Sequence, residues 1–411
     1  MSDQCRSIRR FSLHARCLIL GALSVLVAGC GGGDSRPTTG MLKLAITDGP
    51  ACGYDHVYVT VEKIRVHQSA TATGAVGERG WSELTLPAQR IDLLSLTNGV
   101  LQDLGSLPLA AGTYQQIRMV LASNPSNPTP TNPLANSVVV SGSTQEVALS
   151  TPSAQQSGFK LNANFELLAG QVADMVLDFD ACKSIVGAGN SGIYNLKPVV
   201  SVIKRLTTEI QGYVSPAIAA NVIVSTRDPG NNLRSTVPDA QTGKFRLAYL
   251  PEGATYTVVM TGQNLTTAAI TGVPVSLASN VTQLNTAANA INLPASATAT
   301  INGVVRNGSN VLLTDATVAA RQTLSSGQVL DVATRAVNAG TAAYAMILPV
   351  AAPVRATYAA GGTLNFLPDS PSTPGLYNIY GSALGYTGQS TPPQVSLTAG
   401  ATISKDLVLT P

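Results

Sequence analysis

Gly40-Met41-Leu42-Lys43-Leu44-Ala45-Ile46-Thr47, closed by Asp48-Gly49-Pro50, decides the class of fold: apolar and polar residues alternate until a turn ends the run. A period of two marks a strand with one buried face. The next stretch repeats the pattern. Val57, Val59 and Val61 point one way and Tyr58, Thr60 and Glu62 the other, then Ile64 and Val66 continue after a change of phase. That break predicts a long, bulged strand. Further strands are expected at 115–121, from Val138 on, at 172–179 and at 193–203. Residues 91–104 break the alternation, and Leu93, Leu94, Leu96 and Leu101 fit either a short helix or a covering loop. Pro125, Pro128, Pro130 and Pro133, set among Asn, Ser and Thr, make 122–136 a surface loop. Lys204-Arg205 marks a boundary.

From Glu209 the pattern occurs twice. Ile210-Gln211-Gly212-Tyr213-Val214 is echoed by Ile301-Asn302-Gly303-Val304-Val305. In the first copy Gly243-Lys244-Phe245-Arg246-Leu247 leads to Leu250-Pro251, Gly253, Tyr256 and Thr257-Val258-Val259-Met260, read as strand, tight turn and returning strand. The second copy offers Ala345-Met346-Ile347-Leu348-Pro349 and, after a longer connection, Tyr358. Residues 284–300, rich in Ala, Asn and Thr, read as the linker. Copies of about 75 and 110 residues are each long enough for a seven-strand sandwich.

The start of the chain carries an address. Arg6, Arg9, Arg10 and Arg16 precede an apolar run at 17–28, and Val27-Ala28-Gly29-Cys30 opens onto Gly31-Gly32-Gly33. The run falls short of the roughly 20 apolar residues of a permanent span. It reads as a lipoprotein signal peptide (1–29), with Cys30 as the lipidated first residue and 30–39 as a Gly-rich tether. An ordinary secretory signal or an uncut anchor are the alternatives. Gly31 rather than Asp after the cysteine favours the outer membrane. Cys52 and Cys182 then remain. In an oxidising compartment they are expected to pair as a disulfide, against two buried free thiols or half a metal site.

Charge limits the partners. Of 25 basic and 22 acidic residues, four arginines and Asp3 lie in 1–29, leaving 21 of each sign. A neutral chain with charged residues at only 11% has no basic stripe for phosphates, so nucleic acid is excluded as an expected partner.

Taken together, Gly40-Met41-Leu42-Lys43-Leu44, Thr47-Asp48-Gly49-Pro50, Val57-Tyr58-Val59-Thr60-Val61, Trp81, Gly112-Thr113-Tyr114-Gln115-Gln116-Ile117-Arg118, Ser157-Gly158-Phe159-Lys160, Asp178-Phe179-Asp180 and Lys197-Pro198-Val199 resemble the bacterial domain-of-unknown-function family numbered four-three-eight-two, over 40–204. The resemblance implies a β-rich domain of envelope lipoproteins and no activity. The segments that follow resemble carboxypeptidase-regulatory-like or collagen-binding-protein-B-like β-sandwiches, most closely at 209–262. The later copy departs from that pattern by an insert around 361–375.

Candidate chemistry is sparse. His56 opens a strand and His67 ends one, too far apart to share a site, and neither His-Glu-x-x-His nor Gly-x-Ser-x-Gly occurs. Gly187-Ala188-Gly189-Asn190-Ser191-Gly192 matches the dinucleotide fingerprint, but the strand-like Ile193-Tyr194-Asn195-Leu196 follows where a helix is required, so a hairpin-type turn is expected. Asp178 and Asp180 leave a strand on one face with Phe179 on the other; Asp174 extends the row, and Asp48 approaches if the cysteine bridge holds its loop nearby. Asp48, Asp178 and Asp180 are thus a candidate Ca²⁺ site, calcium asking for six to eight oxygens. The alternative is a solvated face, or aspartates that accept backbone N–H bonds and pair with Lys183. Trp81 is either a sugar-stacking platform or partly buried core.

The expected protein is mainly β: a β-rich domain (40–204) followed by two Ig-like or prealbumin-like β-sandwich modules (205–292 and 298–411). It is expected to be anchored to the cell envelope by its N-terminal lipid. A structural spacer or binding role is expected, toward a surface glycan or a protein, with no catalytic residues and no cofactor. The alternative is an extracytoplasmic hydrolase of envelope or extracellular polymers.

Overall fold

Alternation in the sequence becomes strand almost everywhere in the computed structural model, which describes residues 38–49, 53–75, 77–151, 154–188, 192–370, 374–390 and 392–411. The signal segment, Cys30 and Cys52 lie outside the described residues. The first module holds β1 (Thr39–Asp48), β2 (Tyr54–His67), β3 (Ser82–Asp92), β4 (Gln102–Ala110), β5 (Gly112–Leu121), β6 (Ser137–Val140), β7 (Glu146–Ser150), β8 (Phe159–Leu167), β9 (Val172–Phe179), α1 (Ala181–Ser184), β10 (Ile185–Gly187), β11 (Tyr194–Leu196) and β12 (Val200–Lys204). One sheet has the order β12-β9-β1-β4; the other runs β10-β11-β7-β6-β2-β5-β8, with β3 added to β2. Leu42, Leu44 and Ile46 of β1 meet Val57, Val59 and Val61 of β2 in one apolar core between them. The change of phase in β2 is a bulge: its pairing with both neighbours shifts between Val61 and Lys63.

Two local ambiguities resolve. Leu93–Leu96 is a short helical turn that buries Leu93 and Leu96, capped by Asp92, whose carboxylate accepts from the Leu94 N–H. The glycine-rich segment is a hairpin, with β10 and β11 antiparallel and Gly187 opposite Tyr194; Gly189, Asn190 and Ser191 lie outside the described residues.

The second module holds β13 (Glu209–Tyr213), α2 (Pro216–Ala219), β14 (Val222–Arg227), β15 (Leu233–Thr236), β16 (Lys244–Leu247), β17 (Thr255–Gly262), β18 (Ala268–Pro274) and β19 (Val281–Gln283). The third holds β20 (Thr298–Asn307), β21 (Thr317–Thr323), β22 (Val329–Ala336), β23 (Ala343–Pro349), β24 (Val354–Thr357), β25 (Leu367–Pro368), β26 (Leu376–Ser382), β27 (Gln389–Ser390), β28 (Val395–Ser396), β29 (Thr402–Ser404) and β30 (Leu407–Leu409). Their sheets share a common order: β16-β13-β19 corresponds to β23-β20-β29, and β15-β14-β17-β18 to β22-β21-β26-β27, with β28 on β26 and β30 on β20 added in the third module.

Hydrogen bonds carry the repeat further than sequence does. The side-chain oxygens of Asp239 and Asn338 accept from the N–H of Thr242 (2.7 Å) and Thr341 (3.1 Å), and the next residues, Gly243 and Ala342, take φ of +69° and +53°. Phe245 and Tyr344 then lie opposite Gly212 and Gly303. A Cβ on Gly212 would fall 2.6 Å from the Phe245 ring, and one on Gly303 2.1 Å from the Lys405 carbonyl oxygen, so both strands need a glycine there. Tyr256 and Tyr377 donate their hydroxyls to the carbonyls of Pro251 (2.6 Å) and Pro349 (2.7 Å). The partner of Tyr256 in the second copy is therefore Tyr377, not Tyr358, and the extra length lies between Pro349 and Tyr377.

That extra length joins the neighbouring module. β24 pairs parallel with β18, and β25 follows it, making a six-stranded sheet from two modules. Val354 enters the second module's core. The stretch read as a linker is likewise packed, with Leu284, Ile291 and Leu293 in that core. A spacer of independent beads does not form: residues 37–411 make one compact unit.

Candidate functional site

Strand pairing brings the acidic residues together. β1 and β9 run side by side and parallel, with Thr47 opposite Asp178 and Asp48 opposite Phe179. Phe179 is buried in the first core. Each carboxylate already has a partner. The Asp178 Oδ2 lies 2.9 Å from Arg234 Nη1 of β15, and Arg234 Nη2 lies 2.9 Å from Asp228 Oδ2, with Arg234 and Asp228 almost wholly buried. The Asp180 Oδ1 accepts from the Lys183 N–H, capping α1, and its Oδ2 pairs with Lys183 Nζ at 2.5 Å. The Asp48 Oδ1 accepts from the Ala181 N–H at 3.2 Å, while its buried Oδ2 has no hydrogen bond. Asp174 stands apart, 3.9 Å from Arg205.

Electrostatics follow from burial. Desolvation raises the Asp178 pKa to about 6 against the pull of Arg234, with Asp180 adding to the rise. Burial, then repulsion from Asp180 and Asp178, holds the Asp48 carboxyl well above the usual carboxylate range. These partners are those of the alternative to a calcium site, aspartates that accept backbone N–H bonds and pair with Lys183. Arg234 and Lys183 each take one oxygen, of Asp178 and of Asp180, and among the described residues no group of three or more acidic, His or Cys side chains is arranged to hold a metal. Of the three, Asp178 pairs with the second module, while Asp48 and Asp180 hold partners within the first.

The same junction is reinforced beside them. The Asn98 Oδ1 accepts from Thr236 Oγ1 (2.8 Å) and from the Arg246 N–H (3.2 Å), and Tyr249 donates to the Gly99 carbonyl (2.7 Å). The first and third modules meet where Lys197 Nζ donates to the Thr314 carbonyl (2.9 Å) and Asn338 to the Gly187 carbonyl (3.1 Å). Between the second and third, Asp331 takes Arg227 on one oxygen (2.6 Å) and Arg321 on the other (2.9 Å), beside an apolar contact of Val259, Ala269, Leu324 and Leu330.

At the meeting of all three modules lies a cleft of about 520 Å³, a size typical of small-molecule sites. The first module supplies Asp180, Cys182 and Lys183 to its lining, the second Ser225, Ser235 and Thr261 among others, and the third Arg335, Met346 and Ile347 among others. Arg335, missed in the sequence, is exposed within it. Its Nη1 donates to the Thr334 carbonyl (3.3 Å), and among the described residues it makes no ion pair.

The remaining candidates sit elsewhere. His56 and His67 occupy opposite ends of β2. The His56 Nδ1 is 2.7 Å from Asp92 Oδ2 and its ring stacks on Tyr58. Trp81 serves as a clamp: its Nε1 donates to Glu78 (3.1 Å), its ring packs tilted at 51° against His67, and the Arg65 guanidinium lies 4.6 Å from its centre.

Fold and cleft thus define an all-β protein of three packed modules. Residues 39–198 match the family described as "Domain of unknown function (DUF4382)". No curated protein matches the chain in sequence. Among solved structures it is similar to the Bacillus anthracis TIE protein (12% identity, TM-score 0.19, covering 91% of this chain and 51% of that one). It is also similar to the full-length major pilin SpaD of Corynebacterium diphtheriae (9%, TM-score 0.18, 90% and 97%) and to BcpA, the major pilin subunit of Bacillus cereus (9%, TM-score 0.14, 90% and 99%). The chain spans about half the length of the first of these. Among the described residues, no helix is long and apolar enough to cross a membrane.

Proposed function

We propose that this is a cell-envelope protein, lipid-anchored through Cys30, whose packed modules present a non-catalytic binding cleft to a surface glycan or protein and take no part in nucleic-acid binding. The observation that carries this reading is the cleft itself: all three modules line it, and the ion pairs Asp178–Arg234–Asp228 and Arg227–Asp331–Arg321 brace its walls. Bracing of this kind limits the ordering that a ligand must cause on binding. A Cys52–Cys182 disulfide belongs to the same proposal. Asp48 and Phe179 are register partners, Cys52 lies four residues beyond the one and Cys182 three beyond the other, and Gly53 and Cys182 both line the cleft.

Glycan arrays and crosslinking from intact cells test the binding role, alongside intact mass of protein purified from its native membrane with and without reduction. Specific capture that is lost on the substitution Gln263→Trp at the cleft supports it, and capture indifferent to that change contradicts it. A diacylglyceryl-modified Cys30 supports lipid anchoring, and a chain retaining residues 1–29 contradicts it.

The hydrolase reading has one observation in its favour, the half-exposed His56–Asp92 pair, which has the form of a general base and its orienting carboxylate. Hydrolysis of esters, peptides or glycosides that disappears in His56→Ala would replace the binding proposal.

A further inference from the structure

Resting on the binding reading, we propose that the cleft takes an acidic oligosaccharide, with the Arg335 guanidinium holding a sugar carboxylate. Of the described charged residues that line the cleft, Asp180, Lys183 and Asp331 are each held in an ion pair and Arg335 is not. Lys183 neutralises Asp180, and Asp331 is shared by two guanidiniums, Arg227 and Arg321. Arg335 adds a further positive charge. Burial works against its charge, Tyr54 and Asp180 are the ionisable groups that favour it, and Asp180 is already committed to Lys183 at 2.5 Å. Arg335 therefore spends one donor, at Nη1, on the Thr334 carbonyl and keeps the rest of its planar fork for a ligand, and a carboxylate matches such a fork with two parallel hydrogen bonds.

The opposite wall sets the rest of the chemistry. Ser225, Ser235, Thr261, Gln263 and, beside Arg335, Thr334 line the same space. Hydroxyls and amides both donate and accept, which suits a ligand bearing many hydroxyl groups. Apolar residues including Ile223, Leu233, Met346 and Ile347 supply somewhat more than half of the lining, which suits the C–H faces of sugar rings as the hydroxyls and amides suit their oxygens.

The test is calorimetric titration of the mature, disulfide-intact protein with three probes: trigalacturonate, its methyl ester and triglutamate. Arg335→Gln, Arg335→Lys and the cleft-filling Gln263→Trp are measured beside the wild type, with thermal midpoints as a folding control. The expected result is saturable trigalacturonate binding, at least tenfold weaker for the ester and for Arg335→Gln, partly restored in Arg335→Lys and lost in Gln263→Trp, at unchanged midpoints. Equal binding of acid and ester, or equal binding by Arg335→Gln, overturns the carboxylate anchor while leaving the cleft as a binding site. Arg335-dependent binding of triglutamate alone overturns the sugar assignment. No binding of any probe overturns the proposal, whereas binding that survives Gln263→Trp overturns the cleft reading beneath it.

Discussion

Mild acidification should stabilise this protein, and Asp178 should be a main reason. Its carboxyl is forced from the ordinary 3.8 to about 6 because burial outweighs attraction to Arg234. With the folded pKa above the unfolded one, the folded state takes up the proton first. The resulting stability is complete below about pH 3.8 and is lost as pH rises through about 6. The whole gap is worth about 3 kcal/mol, of which about 1.4 kcal/mol appears between pH 7.5 and 5.0. Asp48 works in the same direction. The window is chosen with Glu78 in mind: its pKa is lowered to about 2 by hydrogen bonds from Trp81 and Thr73, so its stability is lost only as pH falls below the ordinary 4.5.

The assay is urea unfolding at pH 7.5 and 5.0 for the wild type and Asp178→Asn. The asparagine keeps an acceptor for Arg234, which retains Asp228 at 2.9 Å. No uncompensated buried charge is left, the usual reason that breaking such a pair costs 3–5 kcal/mol. The variant should match or exceed the wild type at pH 7.5 and show a pH response smaller by about 1.4 kcal/mol. A variant more than about 2 kcal/mol less stable at pH 7.5, with the wild-type pH response intact, would refute the reasoning: the ion pair would then be net stabilising.

Other outcomes follow from single positions. Gly303→Ala should destabilise by about 2–4 kcal/mol, because its Cβ meets the backbone of Lys405 at 2.1 Å, whereas Gly308→Ala, with open space around it, should stay within about 0.5 kcal/mol in the same denaturation assay. Tyr377→Phe should lower stability by about 1–2 kcal/mol through loss of the buried bond to the Pro349 carbonyl, and Tyr256→Phe should do the same in the second module. If Cys52 and Cys182 are bridged as proposed, reduction should add 2 Da and cost up to about 4–5 kcal/mol, given the length of the loop between them; an unchanged mass would contradict the bridge.

Much of the strand content was legible because it depends on near neighbours. The alternation around Leu42 and Val57 identified β1 and β2, and the phase change at Glu62 located the bulge. β4 was not legible. Gly105, Pro108 and polar residues mask it as loop, and it exists because β1 offers it an edge, with a register shift where Gly105 takes φ of +124°. The repeat was visible in Gly212 and Gly303, but its returning strands were misaligned because Gly243-Lys244-Phe245 is matched by Ala342-Ala343-Tyr344, which shares only an aromatic and a turn capped by Asp239 or Asn338. The shared face of Asp178 and Asp180 was equally readable. Their cationic partners were not all so: Lys183 is three residues from Asp180, but Arg234 comes from another module, and only tertiary packing makes an ion pair of what looked like metal ligands. Arg335 carries no local signal at all, since its role depends on which charges the other two modules leave unmatched.

The packing of three modules around one cleft is the claim on which the functional reading stands, and small-angle X-ray scattering of the chain from Thr38 onward tests it most directly. Packed modules should give a radius of gyration of about 21 Å, the value for a compact chain of that length. A value beyond about 30 Å, with a scattering profile of beads on a line, would mean that the modules are strung out, that the Asp178–Arg234 and Arg227–Asp331 contacts do not hold in solution, and that the cleft does not exist.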